Sequence, residues 1–177
     1  MNLPNRLTLV RIFLIPVFVA VVVLKIPYGD YIAAFIFILA ASTDGLDGYI
    51  ARKRKQVTNL GKLMDPLADK LLVSSALIVL TELQRLPSWV TLIIIGREFA
   101  VTGLRALAVA DGNIISASWL GKVKTVSQIV AIVALFFSRE LTPLLGYILV
   151  AVAVFFTLWS GWDYFYRSWS VIKKGGY

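Results

Sequence analysis

Long apolar runs recur along this chain and restrict its fold more than any other feature. A helix needs about 20 mostly apolar residues to cross the hydrocarbon core of a bilayer. Six segments meet this requirement approximately: residues 7–24, 31–50, 63–80, 88–108, 123–137 and 144–162. The 59% hydrophobic composition and the mean hydropathy of +0.81 exceed those of ordinary soluble domains. The sequence therefore predicts an all-α, polytopic membrane protein with six transmembrane helices.

The distribution of basic residues predicts the orientation of these segments, because cytoplasmic loops carry an excess of Lys and Arg. With the N-terminus in the cytoplasm, the outer loops hold only Lys25, Arg85 and Arg139, and the other fifteen of the eighteen Lys and Arg lie on the inner side. Both termini are therefore predicted to be cytoplasmic. The first apolar run has the length of a signal peptide, but no small-residue cleavage site follows it. Residues 1–177 are interpreted as one cell-membrane domain with a short juxtamembrane segment, 1–6.

Four aspartates are concentrated between the second and third segments, in STDGLDGYIARKRKQVTNLGKLMDPLADK, residues 42–70. Asp44, Asp47, Asp65 and Asp69 are four of the ten acidic residues in the whole chain. Their spacings of three and four residues place each pair on one face of its helix. Because only the basic stretch RKRKQVTN separates the two helices, we expect these to be antiparallel neighbours. The sequence therefore predicts a cup, open to the cytoplasmic side, where four carboxylates converge.

A cluster of four carboxylates requires cations, because like charges at short range do not all ionise alone. The chain has no His and no Cys, so its ligands would be oxygen atoms, which favour magnesium, manganese or calcium over zinc or copper. Two such ions about 4 Å apart stabilise the attacking and leaving oxygens of phosphoryl transfer. Pairing of the aspartates with loop cations is the structural alternative, but acidic residues on membrane helices are costly and usually functional.

The residues around the aspartates match a known signature. The spacing is Asp44-x2-Asp47-Gly48-x2-Ala51-Arg52-x8-Gly61-x3-Asp65-x3-Asp69. With every position filled, this pattern resembles the signature of the CDP-alcohol phosphotransferases. The stretches NLPNRLTLVRI, GREFAVTGLR and GKVKTVSQ resemble the bacterial branch of that family that makes phosphatidylglycerophosphate. The resemblance thus covers most of the chain.

The resemblance implies a six-helix membrane enzyme, usually a homodimer, that joins CDP-diacylglycerol to sn-glycerol 3-phosphate and releases CMP. It implies that the four aspartates bind two divalent cations, magnesium or manganese, and that Asp69 is also the catalytic general base. No nucleic-acid partner is expected. The residues that would contact CDP-diacylglycerol are Asn5, Thr8, Gly48, Ala51, Arg52, Thr58 and Gly61.

Cations on the fourth and fifth segments are candidates for binding the acceptor phosphate: Arg97, Arg105, Lys122 and Lys124. A charged side chain within a bilayer costs at least about 2.5 kcal/mol, so Arg97 should face a polar cavity and an anion. Two alternatives remain open. Arg97 could form a structural ion pair with Glu98 or an aspartate, and Lys122 and Lys124 could contact anionic lipids.

Three other functions remain open at the level of sequence. A sibling of the same family would use inositol phosphate, phosphatidylglycerol or serine as its acceptor. An ion or proton transporter would also place charged residues on membrane helices. However, nearly all such residues here lie at the predicted cytoplasmic ends, which favours a cup over a continuous pathway. A purely structural membrane protein would leave the aspartate spacing unexplained.

Overall fold

Six helices make up the part of the chain that the computed structural model describes, which is residues 3–53, 59–110, 118–137 and 143–168. Within these ranges the protein is all-helical, as the sequence predicts. The helices are α1 (Leu3–Val23), α2 (Gly29–Lys53), α3 (Asn59–Glu82), α4 (Ser88–Ala110), α5 (Trp119–Phe136) and α6 (Pro143–Arg167).

The helices that carry the aspartates are longer than the apolar runs that predict them. α2 continues to Lys53 and α3 already begins at Asn59, so both ends of the predicted turn RKRKQVTN are helical. The physical reason is that a helix satisfies its own backbone hydrogen bonds, and polar side chains beyond the hydrocarbon do not interrupt it. All four aspartates therefore lie on helices rather than in a loop.

Within the described ranges, two helices are long and apolar enough to cross a membrane by themselves. They are Trp119–Phe136 in α5 and Leu144–Arg167 in α6. The apolar stretches Leu7–Val23 in α1 and Gly29–Thr43 in α2 are shorter. Many large apolar side chains face outward, including Trp162, which is 75% exposed. Exposed apolar surface of this extent marks contact with other apolar material, and here it is consistent with surrounding lipid.

The N-terminal helix lies between the two helices that carry the aspartates. α1 packs on α2 and on α3 more extensively than α2 and α3 pack on each other. α2 and α3 are nevertheless in contact, which confirms that they are neighbours. At the end of the bundle distant from the aspartates, Phe18 of α1 contacts Phe37 and Phe136, with ring centroids 6.1 and 5.7 Å apart.

The polar start of α5 is packed against protein. Lys124 and Gln128 are 5% and 2% exposed. Gln128 Nε2 donates a hydrogen bond of 2.9 Å to Thr157 Oγ1 of α6, and Ser118 caps the helix by accepting from the N–H of Gly121. The short apolar part of the fifth segment predicts that its inner end is either wet or covered, and the structure shows that it is covered.

A charged pair lies at the far end of the bundle, which is the end distant from the aspartates. Arg85, which follows α3, donates a 2.7 Å hydrogen bond to Asp30 in the first turn of α2 and a 3.4 Å bond to the carbonyl of Leu135. A cavity of about 640 Å³ adjoins this pair and is lined by residues such as Lys25 and Tyr28. None of the predicted site residues lines it, so this cavity is not the candidate active site.

Candidate active site

The two aspartates of α3 lie half-buried beside the N-terminal helix. Thr8 Oγ1 donates a 2.5 Å hydrogen bond to Asp65 Oδ1, and Thr8 is only 2% exposed. Asp69 follows one helical turn later, on the same face as Asp65. α1 therefore reaches directly into the predicted cluster of carboxylates.

The predicted residues of α2 are placed by their backbone alone. Asp44, Asp47, Gly48, Ala51 and Arg52 all lie in the second half of that helix. Asn5 lies in the first turns of α1 and Gly61 in the first turn of α3, and Thr58 lies outside the described residues. The side chains of these residues are likewise outside the description, so the convergence of all four carboxylates stays a prediction.

The available oxygens suit a hard divalent cation. Asp65 Oδ1 accepts the hydrogen bond from Thr8, and Asp65 Oδ2 has no partner among the described residues. Among the described side chains, which do not include those of Asp44 and Asp47, there is no group of three His, Cys, Asp or Glu that could hold a metal. The donor chemistry fits magnesium or manganese.

Arg11 is fully buried between α1 and α2, at 0% exposure. Its Nε donates a 3.1 Å hydrogen bond to the carbonyl of Ala40, and its Nη2 donates a 3.4 Å bond to Thr43 Oγ1. Thr43 directly precedes Asp44. In the sequence, Arg11 is one of the fifteen inner-side cations. The signal that could have identified its role is an arginine inside an apolar segment, three residues after Thr8.

A buried cluster of charges joins α4, α5 and α6. Glu98 Oε1 accepts a 2.5 Å hydrogen bond from Lys124 Nζ and a 3.2 Å bond from Arg97 Nη1. Arg97 Nη2 donates a further bond of 2.9 Å to Ser160 Oγ, and its guanidinium lies 5.6 Å from the centre of the Tyr164 ring. The three charged side chains are 10%, 13% and 6% exposed for Arg97, Glu98 and Lys124. We call Arg97, Glu98 and Lys124 the α4–α5 charge cluster.

The structure separates the four cations predicted to bind the acceptor. Arg97 and Lys124 meet at Glu98, whereas Arg105 and Lys122 are exposed and form no hydrogen bond or ion pair with a described residue. The alternative pairing of Arg97 with Glu98 is therefore present. The alternative of lipid contact is wrong for Lys124, since its side chain is buried, and it stays open for Lys122.

The α4–α5 charge cluster retains positive charge. Two cations share one carboxylate, and the buried Nε of Arg97 has no hydrogen-bond partner among the described residues. α3, which carries Asp69, packs on both α4 and α5. Arg97 and Lys124 are therefore buried candidates for binding a phosphate group, since guanidinium and ammonium groups pair with phosphate oxygens.

Comparison with known proteins connects this geometry to an enzyme family. The family model for CDP-alcohol phosphatidyltransferase matches residues 1–159. A Bacillus subtilis (strain 168) protein is 45% identical over 188 residues, with 97% of each chain covered. Similar proteins from Shigella flexneri serotype 5b (strain 8401) and Yersinia pestis (strain Pestoides F) are 40% and 36% identical, with 92% and 96% of each chain covered. All three are named CDP-diacylglycerol--glycerol-3-phosphate 3-phosphatidyltransferase.

Proposed function

The chain belongs to the CDP-alcohol phosphatidyltransferase family, and we propose that it transfers the phosphatidyl group of CDP-diacylglycerol to sn-glycerol 3-phosphate. The products are phosphatidylglycerophosphate and CMP. Near-complete coverage of relatives that carry this activity in their names supports the assignment. The structural observation that supports it is the α4–α5 charge cluster, in which Arg97 and Lys124 both bond to Glu98 on helices that pack against α3.

Asp69 acts as the general base in the proposed mechanism. Its carboxylate takes the proton from the 1-hydroxyl of glycerol 3-phosphate, and the hydroxyl oxygen attacks the β-phosphorus of CDP-diacylglycerol. A new phosphorus–oxygen bond forms, the bond to CMP breaks, and CMP leaves with the electron pair. Asp44, Asp47, Asp65 and Asp69 would hold two magnesium or manganese ions, which would supply positive charge to the diphosphate. A covalent enzyme intermediate is not needed for this displacement.

The nucleotide lies along the inner halves of α2 and α3 and the start of α1. Asn5, Thr8, Gly48, Ala51, Arg52, Thr58 and Gly61 contact CDP-diacylglycerol in this proposal. Glycine at two of these positions lets the substrate approach the backbone, and Arg52 pairs with the diphosphate charge. Because the Thr8 hydroxyl donates a hydrogen bond to Asp65, we expect it to contact the nucleotide as a hydrogen-bond acceptor or through its methyl group.

The acceptor phosphate binds at the α4–α5 charge cluster. Arg97 offers the free Nε and its planar guanidinium, and Lys124 offers an ammonium group. Arg105 and Lys122, which are exposed, attract the anionic acceptor from solution before it reaches the buried cations. An acceptor without a phosphate would leave this positive charge unused, which favours glycerol 3-phosphate over serine.

The protein functions in the cell membrane, and its site is open to the cytoplasm. The water-soluble substrate glycerol 3-phosphate enters from that side, and the water-soluble product CMP leaves to it. The excess of basic residues on the inner side supports this orientation. We also propose a homodimer, as the family resemblance implies. Cross-linking in native vesicles tests the dimer independently of the chemistry.

The first experiment measures CMP release by the purified protein in mixed micelles of CDP-diacylglycerol. Release should require both glycerol 3-phosphate and magnesium or manganese, and chelation with EDTA should abolish it reversibly. The Asp69→Asn variant should lose activity at least about 100-fold, because general bases contribute factors of roughly 100 to 10,000. Asp30→Asn, the same change at the far end of the bundle, is the matched control and should retain activity.

The outcomes separate the competing functions. Release that occurs only with inositol phosphate, phosphatidylglycerol or serine would assign the chain to a sibling activity of the family. Release without any added metal would contradict the proposed cofactor. Ion flux through reconstituted vesicles, with no CMP release from any acceptor, would replace the enzyme by a transporter.

A further inference from the structure

The N-terminal helix touches both aspartate-bearing helices through two polar side chains on one face. Thr8 bonds to Asp65 of α3, 57 residues away in the chain. Arg11 bonds to Ala40 and Thr43 of α2, directly before Asp44. Because Thr8 and Arg11 are three residues apart on a helix, they project from the same side. One short stretch of α1 is therefore tied to both aspartate-bearing helices.

Both side chains are buried, so these contacts are fixed rather than occasional. Thr8 is 2% exposed and Arg11 is 0% exposed. A buried guanidinium is stable only when the protein supplies its hydrogen-bond partners. Thr43 is itself held, since its hydroxyl donates a 2.7 Å bond to the Ala40 carbonyl. Arg11 thus binds two residues of α2 that are already hydrogen-bonded to each other.

Direct packing between α2 and α3 is less extensive than the packing of each of them on α1, so α1 contributes most to their separation. Like charges on the two helices also repel one another. Contacts other than those of the aspartates must therefore hold α2 and α3 at a defined distance. Thr8 supplies a polar link from α1 to α3, and Arg11 supplies a polar link from α1 to α2.

We propose that Thr8 and Arg11 form a brace that sets the distance and orientation of the aspartate-bearing parts of α2 and α3. Through Asp65 and the turn before Asp44, the brace pre-forms the divalent-cation site. Arg11 is a positioning residue, and the Thr8 hydroxyl acts in the same way through Asp65. This inference rests on the proposed function for its kinetic consequence, but its effect on cation binding is independent of any turnover.

The test compares Thr8→Val, which keeps the shape and removes the hydroxyl, with Thr8→Ser, which keeps the hydroxyl. Manganese binding to purified protein is followed by electron paramagnetic resonance, without substrate. Partners of metal ligands typically change metal affinity 10- to 100-fold, so Thr8→Val should weaken manganese binding by about 10-fold or more. Thr8→Ser should restore it to within about threefold of the original.

Thr91→Val is the matched control. Its hydroxyl forms a 2.6 Å hydrogen bond with Thr81 and is similarly buried, but it joins α3 to α4 away from the aspartates. This variant should lower the melting temperature without changing manganese affinity. Equal loss of manganese affinity in Thr91→Val and Thr8→Val would show a general loss of stability and would overturn the brace.

Arg11→Lys tests the second contact, because lysine keeps the charge and loses the fork that reaches Ala40 and Thr43. We expect weaker manganese binding and a lower kcat, with the KM for glycerol 3-phosphate within about threefold of the original. If Arg11→Lys does not fold, the threonine variants still decide the proposal. Combining Thr8→Val with Asp65→Asn should cost no more than Asp65→Asn alone, since both changes remove one interaction.

The failure of this inference differs from the failure of the proposed function. Unchanged manganese affinity in Thr8→Val, with normal CMP release by the original protein, would remove the brace and leave the activity in place. Absence of CMP release, with the expected loss of manganese affinity in Thr8→Val, would remove the proposed reaction and leave the brace in place.

Discussion

Two groups of charges lie at opposite ends of this bundle, and they differ in balance. At the far end, Arg85 and Asp30 pair one to one at 2.7 Å, with 17% and 24% of their side chains exposed. In the α4–α5 charge cluster, Arg97 and Lys124 share the carboxylate of Glu98, and all three side chains are more deeply buried. One group is neutral, and the other keeps an excess positive charge.

This difference is what we expect between a structural contact and the proposed binding site. Arg85 also donates to the carbonyl of Leu135, so it ties the connection after α3 to α2 and α5. In the α4–α5 charge cluster the orphaned Nε of Arg97 and the surplus charge both carry an energetic cost, since buried polar groups are normally satisfied. A dianionic phosphate would relieve both. We therefore expect substitutions at the two ends to affect different quantities.

The largest effect on the acceptor should come from Arg97→Ala. Loss of charge-assisted hydrogen bonds, each worth about 1.5–3 kcal/mol, should raise the KM for glycerol 3-phosphate about 10- to 100-fold. The KM for CDP-diacylglycerol should stay within about threefold of the original. Arg105→Ala, at an exposed position, should raise the acceptor KM less. Steady-state kinetics with each substrate varied in turn decides the point, and equal rises for both substrates would contradict the assignment.

A smaller effect is expected from Gly161→Ala on α6. A methyl group at this position would lie 3.2 Å from Arg97 Cγ and 3.7 Å from its Nε, so the arginine would have to shift by a few tenths of an ångström. The acceptor KM should rise about two- to fivefold. Gly103→Ala is the matched control, because an added methyl group there meets nothing within 4 Å. If Gly103→Ala changed the acceptor KM as much, proximity to Arg97 would not be the cause.

The smallest effect on either KM should come from Arg85→Gln, although this variant should be less stable. Removing one partner of the pair leaves Asp30 without its cation, at a cost of about 1–3 kcal/mol. Thermal unfolding in detergent should show a lower melting temperature. A rise in the acceptor KM comparable to that of Arg97→Ala would mean that the two ends of the bundle are not functionally separate.

Local patterns in the sequence are sufficient to predict the helices and the placement of each aspartate pair on one helical face. Apolar runs predict all six helices, because each span must satisfy its own backbone in lipid. The spacing of Asp65 and Asp69 predicts their shared face for the same local reason. The helix ends are harder to predict, since the amino-acid pattern marks where the hydrocarbon ends rather than where the backbone stops being helical.

Contacts between distant residues could not be predicted in this way. The bond from Thr8 to Asp65 joins residues 57 apart, and the bond from Lys124 to Glu98 joins residues 26 apart. Both depend on how helices turn relative to one another, which the apolar pattern constrains only loosely. For Arg97 the sequence presented a structural pair and a phosphate site as alternatives. The structure shows the pair, and its unequal charge leaves the phosphate site compatible with it.

The two buried polar residues of α5 affect how this protein is made. Lys124 and Gln128 find their partners in Glu98 on α4 and Thr157 on α6, and α6 is synthesised after α5. A polar side chain without a partner is costly in lipid, and the described partner of Gln128 lies on α6. α5 and α6 also pack extensively on each other. We therefore expect α5 to reach its final packing only after α6 has been synthesised.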